Sequence, residues 1–437
     1  MTKPMCAQTA KPASPRSVVL DLLDSVLRLK RPLDDALQDH PELPGMEPRD
    51  RAFTRLLVAT TFRRLGQLDD LIDRCLERPL PAKAKDVRNL LRLGACQLLF
   101  LDTPAHAAVS TAVDLAQERG HGPHKALINA VLRRLGREGA EIIQAQDAAR
   151  MNTPDWLWDS WVGAYGEPLS RRIADAHLSE APLDITVKSD LSSWAKALDA
   201  QVLPTGTLRR NTGGRINELP GFEAGAWWVQ DAAATLPVKL LGDVEGSHVI
   251  DLCAAPGGKT AQLASRGARI TAVDRSEKRL ARLRANLDRL GLDADLVAAD
   301  AVSWRPEKQG DAVLLDAPCS ATGTIRRHPD VARLKTADDV IKLAKVQDRL
   351  LSAAVEMVRP GGVVVYCSCS LQPEEGPERI KAALGSGLPM ERVPIQPAEM
   401  DGMEEMVSTE GDLRTLPSHF AGIGGMDGFF AARLKRL

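Results

Sequence analysis

Cys319 and Cys369 each stand at the end of an apolar, β-branched run, DAVLLDAP and VVVYCS, where the carboxyl ends of parallel strands border a ligand crevice. A thiolate there can act as a nucleophile and split one difficult step into two through a covalent intermediate. Each cysteine alone is as readily a small buried hydrophobe. A pair converging on one crevice is harder to read that way. No zinc site is expected, because Cys367-x-Cys369 lacks a second spaced pair or a nearby histidine.

The crevice needs a second reactant, and the stretch HVIDLCAAPGGKT supplies a place for one. A β-branched run enters a turn of small residues, Cys253, Ala254, Ala255, Pro256, Gly257 and Gly258, then leaves through Lys259 towards a helix. The turn fails as a phosphate-cradling P-loop, since Cys253 stands where the first glycine belongs. It also fails as a dinucleotide turn, because Cys253 and Ala255 occupy the first two glycine positions. What remains is alternation of small residues behind Asp251, with a helix N-terminus that favours an acidic or polar ligand group.

Three further strands end near aspartates: ARITAVD at Asp274, DLVAAD at Asp300 and DAVLLDAP at Asp316. An acid at the second strand tip, about 20 positions past the turn, suits a ribose diol, and the next suits an adenine amine. Each aspartate alone is as readily a cap or turn residue. Four in register point to one crevice.

The elements that position these groups follow from periodicity. From Ser14 to about Gly139 apolar residues recur at helical spacing, with Val18, Val19, Leu22, Leu23 and Val26 as one stripe. Helices are expected over 68–76, 86–101, 106–118 and 124–135, making an all-α bundle with short connections. Between 150 and 228 a small α+β unit follows. Trp156, Trp158, Trp161 and Tyr165 share one helix there, as packing anchors rather than base-stacking platforms. Arg209 and Arg210 beside Gly213 and Gly214 form either a phosphate clamp or a plain hairpin loop. From 229 to 437 strands alternate with helices, including one over 337–358, which predicts an α/β Rossmann-like domain. The VQDAAATLPVKLLG segment is expected to be helical, and GFFAARLKR to be an edge strand closing the sheet.

At 437 residues the chain has length for two or three domains, and its composition is ordinary for a globular protein, 44% apolar and 26% charged. A net charge of -1 gives no global sign of nucleic-acid binding. Seven cysteines without framework spacing suit reduced thiols, hence the cytoplasm. The first 13 residues lack a signal-peptide core and read as a disordered tail. No run approaches a membrane span.

Two resemblances sharpen this reading. RDRAFTRLLVATTFRRLGQLDDLI, VRNLLRLGACQLLFLD and KALINAVLRRL resemble the NusB-like RNA-binding domain, which implies RNA contacts and makes Arg49, Arg51, Arg63, Arg64 and Lys125 candidate phosphate ligands over a domain of 14–145. DLCAAPGGKT, AVDRSEKRL, LLDAPCSATGTIRRHPD, VVVYCSCSLQPEE and MDGFFAARL look like successive motifs of the Sun/Fmu family of RNA 5-methylcytosine methyltransferases, from about Trp228 to the C-terminus. That likeness implies S-adenosylmethionine as methyl donor, with Arg279 joining the turn and the strand-tip aspartates as its contacts. It makes a cytosine in RNA, most naturally small-subunit 16S ribosomal RNA, the acceptor.

It further implies that Cys369 is the nucleophile, that Cys319 assists loss of the C5 proton or release of the enzyme, and that Asp316 meets the N3 and amino edge of the base. DNA cytosine methyltransferases use the Pro-Cys position as nucleophile, so the reverse assignment stays open. Lys259 is a candidate to favour the thiolate. Ser368 replaces the usual Thr, Gly376 the usual Asn, and Lys188-Ser189 stands where an Arg-Val-Asn string is common. The protein is expected to act as a monomer, with RNA and no membrane as partner. Rival readings are the same chemistry on transfer RNA or another RNA, and a non-catalytic NusB-like antitermination factor.

Overall fold

The helical periodicity of the first third becomes eight helices in the computed structural model, which describes residues 14–81, 84–210, 215–400 and 402–437. The expected tail over 1–13, and Gly213 and Gly214, lie outside the described residues. The chain divides into two compact units. The first holds residues up to Trp158 together with His328–Leu334.

Its helices are α1 (Pro15–Leu27), α2 (Leu33–Asp39), α3 (Pro48–Arg63), α4 (Leu65–Cys75), α5 (Lys85–Phe100), α6 (Ala105–Glu118), α7 (Lys125–Gln144) and α8 (Ala148–Asn152). Proline opens α1 and α3, where its missing N–H costs nothing, and the Ser14 hydroxyl caps α1 by accepting from Ser17 N. The predicted stripe from Val18 to Val26 is buried with Leu57, Leu90, Leu91 and Leu132 in one core. α7 runs nine residues past its expected end at 135. Ile142 and Ile143 still pack on the core, and Gly139 is buried against Leu99, so tertiary contacts override the glycine stop signals. The 328–334 segment joins this unit: Asp330 accepts from Leu33 N at 2.9 Å, and His328 Nδ1 lies 3.2 Å from Asp34.

The boundary between the units falls within α9 (Asp155–Tyr165). The second unit continues through α10 (Glu167–Ala176), β1 (Leu183–Val187), α11 (Leu191–Ala197), β2 (Gln201–Val202), β3 (Leu208–Arg210) and β4 (Trp227–Val229). These strands form an antiparallel sheet in the order β2-β3-β1-β4, and Ile185, Leu198, Leu208 and Trp227 share its core. Arg209 corrects one expectation. It is buried in a two-point pair with Asp184, both N···O distances 2.7 Å, and donates to the Ile423 carbonyl, so it staples the fold and is closed to phosphate. Arg210 is spent on the Leu198 carbonyl at 2.9 Å.

The remaining elements alternate: α12 (Leu236–Lys239), β5 (His248–Leu252), α13 (Gly258–Ser265), β6 (Arg269–Asp274), α14 (Glu277–Leu290), β7 (Asp295–Ala298) and β8 (Gly310–Asp316). After α15 (Val331–Leu334), which belongs to the first unit, come α16 (Ala337–Met357), β9 (Val358–Ser368), α17 (Pro377–Gly385), β10 (Met390–Arg392), β11 (Leu413–Thr415) and β12 (Phe429–Arg436). The sheet order is β10-β12-β9-β8-β5-β6-β7, with β11 pairing β12. β9, β8, β5, β6 and β7 run parallel, and β12 runs antiparallel to β9.

Strand order reverses between β5 and β8, so the crevice for a ligand opens there, at the carboxyl ends of both. One face of the sheet is covered by Leu236, Leu263, Leu283 and Leu287, and the other by Leu350, Leu351, Val355 and Ile380. Coverage of both faces is why β8 carries the unbroken apolar run from Ala312 to Leu315.

Two local expectations fail for physical reasons. β12 is an interior strand, because β10 pairs along its far side. The expected helix over VQDAAATLPVKLLG shrinks to a 3-10 turn and α12, because Asp231 turns back to accept from Ala233 N and is claimed by the buried Arg326 at 2.8 Å.

Candidate active site

Cys319 and Cys369 meet: their sulfurs are 3.5 Å apart. The loop after β8 is laced to the tip of β9 to put them there. Ala317 N donates to the Cys367 carbonyl at 2.9 Å, Gly323 N to the Cys369 carbonyl at 3.0 Å, and Leu371 N to the Thr322 hydroxyl at 3.0 Å. Only glycine fits at 323, because a Cβ would lie 2.0 Å from the Gly428 carbonyl oxygen and 2.9 Å from that of Cys369.

Beneath the thiols lies a buried polar cluster that sequence reading missed. Glu375 accepts from Ser320 N at 2.9 Å and from Gln347 at 3.1 Å, and the Ser320 hydroxyl also bonds it. Tyr366 and Ser368 donate to the Glu375 carbonyl at 2.8 and 2.9 Å. Trp161, fully buried, donates to Gln372 at 2.9 Å, the anchoring role expected of that aromatic helix.

The two sulfurs are not equivalent. The hydrogen bond with Cys369, then burial, pushes the Cys319 thiol well above its usual range. Cys319 is thereby held as a protonated thiol. Two cations lie on the side of Cys369. Lys259 interacts with the Cys367 and Cys369 sulfurs, and Arg327 with Cys369. Arg327 is the site residue that sequence reasoning overlooked, although the doublet in TIRRHPD marked it. Its guanidinium is held by Asp427 at 2.5 Å, while the neighbouring Arg326 bridges Asp231 and Asp427 at 2.8 and 3.5 Å.

Lys259 also ties the thiols to the glycine turn. Its ammonium sits 2.8 Å from Asp316 Oδ2 and 4.8 Å from the centre of the Phe429 ring. Burial pulls its pKa down, but Asp316 together with the Cys367 and Cys369 sulfurs outweighs that and raises it. Cys367 Sγ lies 3.6 Å from the other Asp316 oxygen, and burial, then that carboxylate, keeps the thiol protonated.

The turn itself follows β5. Cys253 adopts a left-handed backbone with φ 60°, and burial together with surrounding carboxylates pushes its thiol up to about 12. Gly257 has φ 102°, and a side chain there would strike Leu283 at 2.6 Å. No side chain caps α13, which leaves its first N–H groups facing the crevice. Asp274 is buried, accepts from Ala255 N at 3.2 Å and Ser276 N at 3.0 Å, and pairs with Arg279 at 3.2 Å. Asp300 follows at the neighbouring strand tip, where Ala299 N donates to the Asp274 carbonyl at 3.1 Å. It is exposed two residues past β7, where it caps a turn by accepting from Val302 N at 2.9 Å.

Asp251 is buried, and one oxygen accepts from Thr260 at 2.6 Å while the other has no partner among the described residues. Burial pushes its carboxyl up to about 7, against the Thr260 hydrogen bond and with help from Asp316. A carboxyl raised above its unfolded value of 3.8 contributes stability that is fully present below about pH 4 and lost as pH rises through 7. Asp251→Asn, which keeps an acceptor for Thr260, is therefore expected to flatten the fall in melting temperature between about pH 4 and 7, with the largest gain at the upper end. Parallel curves for the two proteins would show that Asp251 titrates normally.

An unpartnered buried carboxylate oxygen, a bare glycine backbone and an uncapped helix start form a donor and acceptor set fit for a zwitterionic amino-acid group. Among the described residues no cluster of three His, Cys, Asp or Glu could hold a metal ion, and no helix is long and apolar enough to cross a membrane.

Comparison with known proteins agrees with this geometry. Residues 238–435 match a family model described as 16S rRNA methyltransferase RsmB/F, and residues 13–137 match the NusB family. The "Ribosomal RNA small subunit methyltransferase B" of Pseudomonas putida is 36% identical, the alignment covering 97% of this chain and 99% of that protein. Its namesake in Vibrio cholerae is also 36% identical, over 96% of this chain and 97% of the other. The crystal structure of a methyltransferase homolog protein from Pyrococcus horikoshii superposes with a TM-score of 0.53 at 29% identity, covering 64% of this chain and 94% of that one.

Proposed function

Because the chain belongs to the RsmB/F family of S-adenosylmethionine-dependent small-subunit ribosomal RNA methyltransferases, we propose that it methylates carbon 5 of a cytosine in 16S ribosomal RNA through a covalent bond between Cys369 and carbon 6. The observation that carries this reading is the 3.5 Å approach of two thiols at the tips of β8 and β9, beside the glycine turn. S-adenosylmethionine supplies an electrophilic methyl group, held by Cys253 to Lys259, Asp274, Arg279, Asp300 and Asp316. Asp251 is a further acceptor that the geometry adds to that set.

Carbon 5 of cytosine is too weak a nucleophile to take the methyl unaided. Addition of the Cys369 thiolate to carbon 6 makes the ring an enamine, whose carbon 5 would take the methyl as the sulfonium–methyl bond breaks and S-adenosylhomocysteine departs. Asp316 meets the N3 and amino edge of the base, and Lys259 holds that carboxylate in place. The C5 proton then passes to a base in solvent, the C5–H electron pair restores the ring double bond, and the C6–S bond breaks with its electron pair returning to Cys369. Cys319 assists that elimination or the release of the enzyme, the role that family likeness implies for it. A base that leaves its stack to reach this pocket needs RNA contacts elsewhere, which the 14–145 and 150–228 regions supply ahead of a catalytic domain over 229–437. The setting is the cytoplasm, and the protein acts as a monomer.

Incubation with tritiated donor and small-subunit ribosomal RNA, followed by nucleoside analysis, is expected to give 5-methylcytidine. Label in an exocyclic amine, or in transfer RNA alone, overturns the assignment of atom or substrate. No transfer to any RNA leaves the antitermination-type binding factor.

A further inference from the structure

A helix pays for glycine in its interior, so an exposed mid-helix glycine asks for a reason. Gly136 lies well inside α7, outside the left-handed region, and a Cβ added to it would meet nothing within 4 Å. Neither backbone conformation nor packing calls for glycine there, although it weakens the helix by about 1 kcal/mol relative to alanine. Close approach of something outside the chain does call for it.

Gly136 borders a crease of about 710 Å³ between α6 and α7. Lining residues recur three and four apart on each helix, so one face of α6 and one face of α7 form the two walls. Val109 and Leu132 make an apolar floor, and Arg133 and Arg137 stand one turn apart on the rim, either side of Gly136. Those two arginines differ from several others in this unit. Arg28, Arg74, Arg88, Arg92, Arg119 and Arg134 are all paired with carboxylates. Arg133 donates only to Asn129 at 3.1 Å and Arg137 only to a backbone carbonyl at 3.3 Å; among the described residues neither has an acidic partner.

We propose that this crease seats a single strand of the RNA substrate, an inference that rests on the function proposed above. Successive phosphates lie over Arg133 and Arg137, whose Cβ atoms an i,i+4 spacing sets about 5–6 Å apart. Ribose or base edges lie along Val109 and Leu132, and the sugar-phosphate backbone passes over Gly136. Asp114 and Asn129 line the same crease. RNA offers ribose hydroxyl and base amino donors to Asp114 and phosphates to the two arginines; an acidic peptide is the rival occupant. The site differs from the positions that family likeness marked. Arg64 there is turned inward, 5.2 Å above the Phe100 ring, and burial lowers its pKa.

The test uses the full chain and small-subunit ribosomal RNA, with direct RNA binding measured beside methyl transfer. For Arg133→Ala/Arg137→Ala the expected result is a KM for RNA raised about 10-fold with kcat unchanged, and a salt slope of log affinity shallower by about 1.4, the loss of two single-strand phosphate contacts. Gly136→Leu fills the crease while favouring the helix, so weaker RNA binding with an unlowered melting temperature is expected. Wild-type affinity and salt slope in both variants overturn the proposal. So does normal methylation of free RNA with failure on the ribosomal particle, which would give the crease to a protein partner. Loss of the proposed chemistry shows separately, as wild-type protein that binds RNA without methylating it.

Discussion

Cys369→Ala is expected to lower methyl transfer by at least about three orders of magnitude and to abolish covalent capture of RNA containing 5-fluorocytosine. Fluorine cannot leave as the C5 proton does, so a competent nucleophile is trapped on such RNA after methyl transfer; an enzyme lacking the nucleophile never forms the bond. Cys319→Ala should instead accumulate a denaturant-resistant adduct with ordinary RNA, because addition proceeds while release fails. Family likeness points this way, but the geometry gives its own reason. Cys319 is pushed up by its hydrogen bond with Cys369 and by burial, whereas both nearby cations, Lys259 and Arg327, interact with Cys369. A sulfur facing two cations is the better thiolate. Adduct formation by Cys369→Ala, with an inert Cys319→Ala, would exchange the two roles.

What the sequence could tell about this site divides along a physical line. The parallel strands, the glycine turn and the thiols at the strand ends were legible because period and small-residue spacing are local properties, written into 5–15 consecutive residues. Coupling between distant segments was not. Nothing in DAPCSATG announces that Gly323 must pass under Gly428, or that Glu375 lies beneath the thiols and accepts from Ser320. Arg209 shows the same limit from the other side. Beside two glycines it suits a phosphate clamp, and only the pairing of β1 with β3 reveals that Asp184 already holds it. β12 read as an edge for a similar reason, since its outer neighbour β10 is only three residues long and leaves little periodic signal.

Asp316→Asn is expected to reduce kcat by about 10²- to 10³-fold and to suppress capture by 5-fluorocytosine RNA to the same degree, since the step it serves is addition to carbon 6. The amide keeps the shape of the carboxylate but not its charge. It leaves Lys259, 8% exposed, without a counterion, and replaces a charged acceptor at the amino edge of the base by a weaker one. The lost charge-assisted hydrogen bond also costs about 2 kcal/mol of stability, so reduced activity alone would not separate recognition of the base from support of Lys259. The double variant Asp316→Asn/Lys259→Met separates them, because it removes the stranded ammonium. If Asp316 acts on the base, the double variant regains melting temperature while single-turnover addition stays slow. If activity returns with stability, Asp316 serves only to hold Lys259, and contact with the cytosine edge must come from another residue of the crevice.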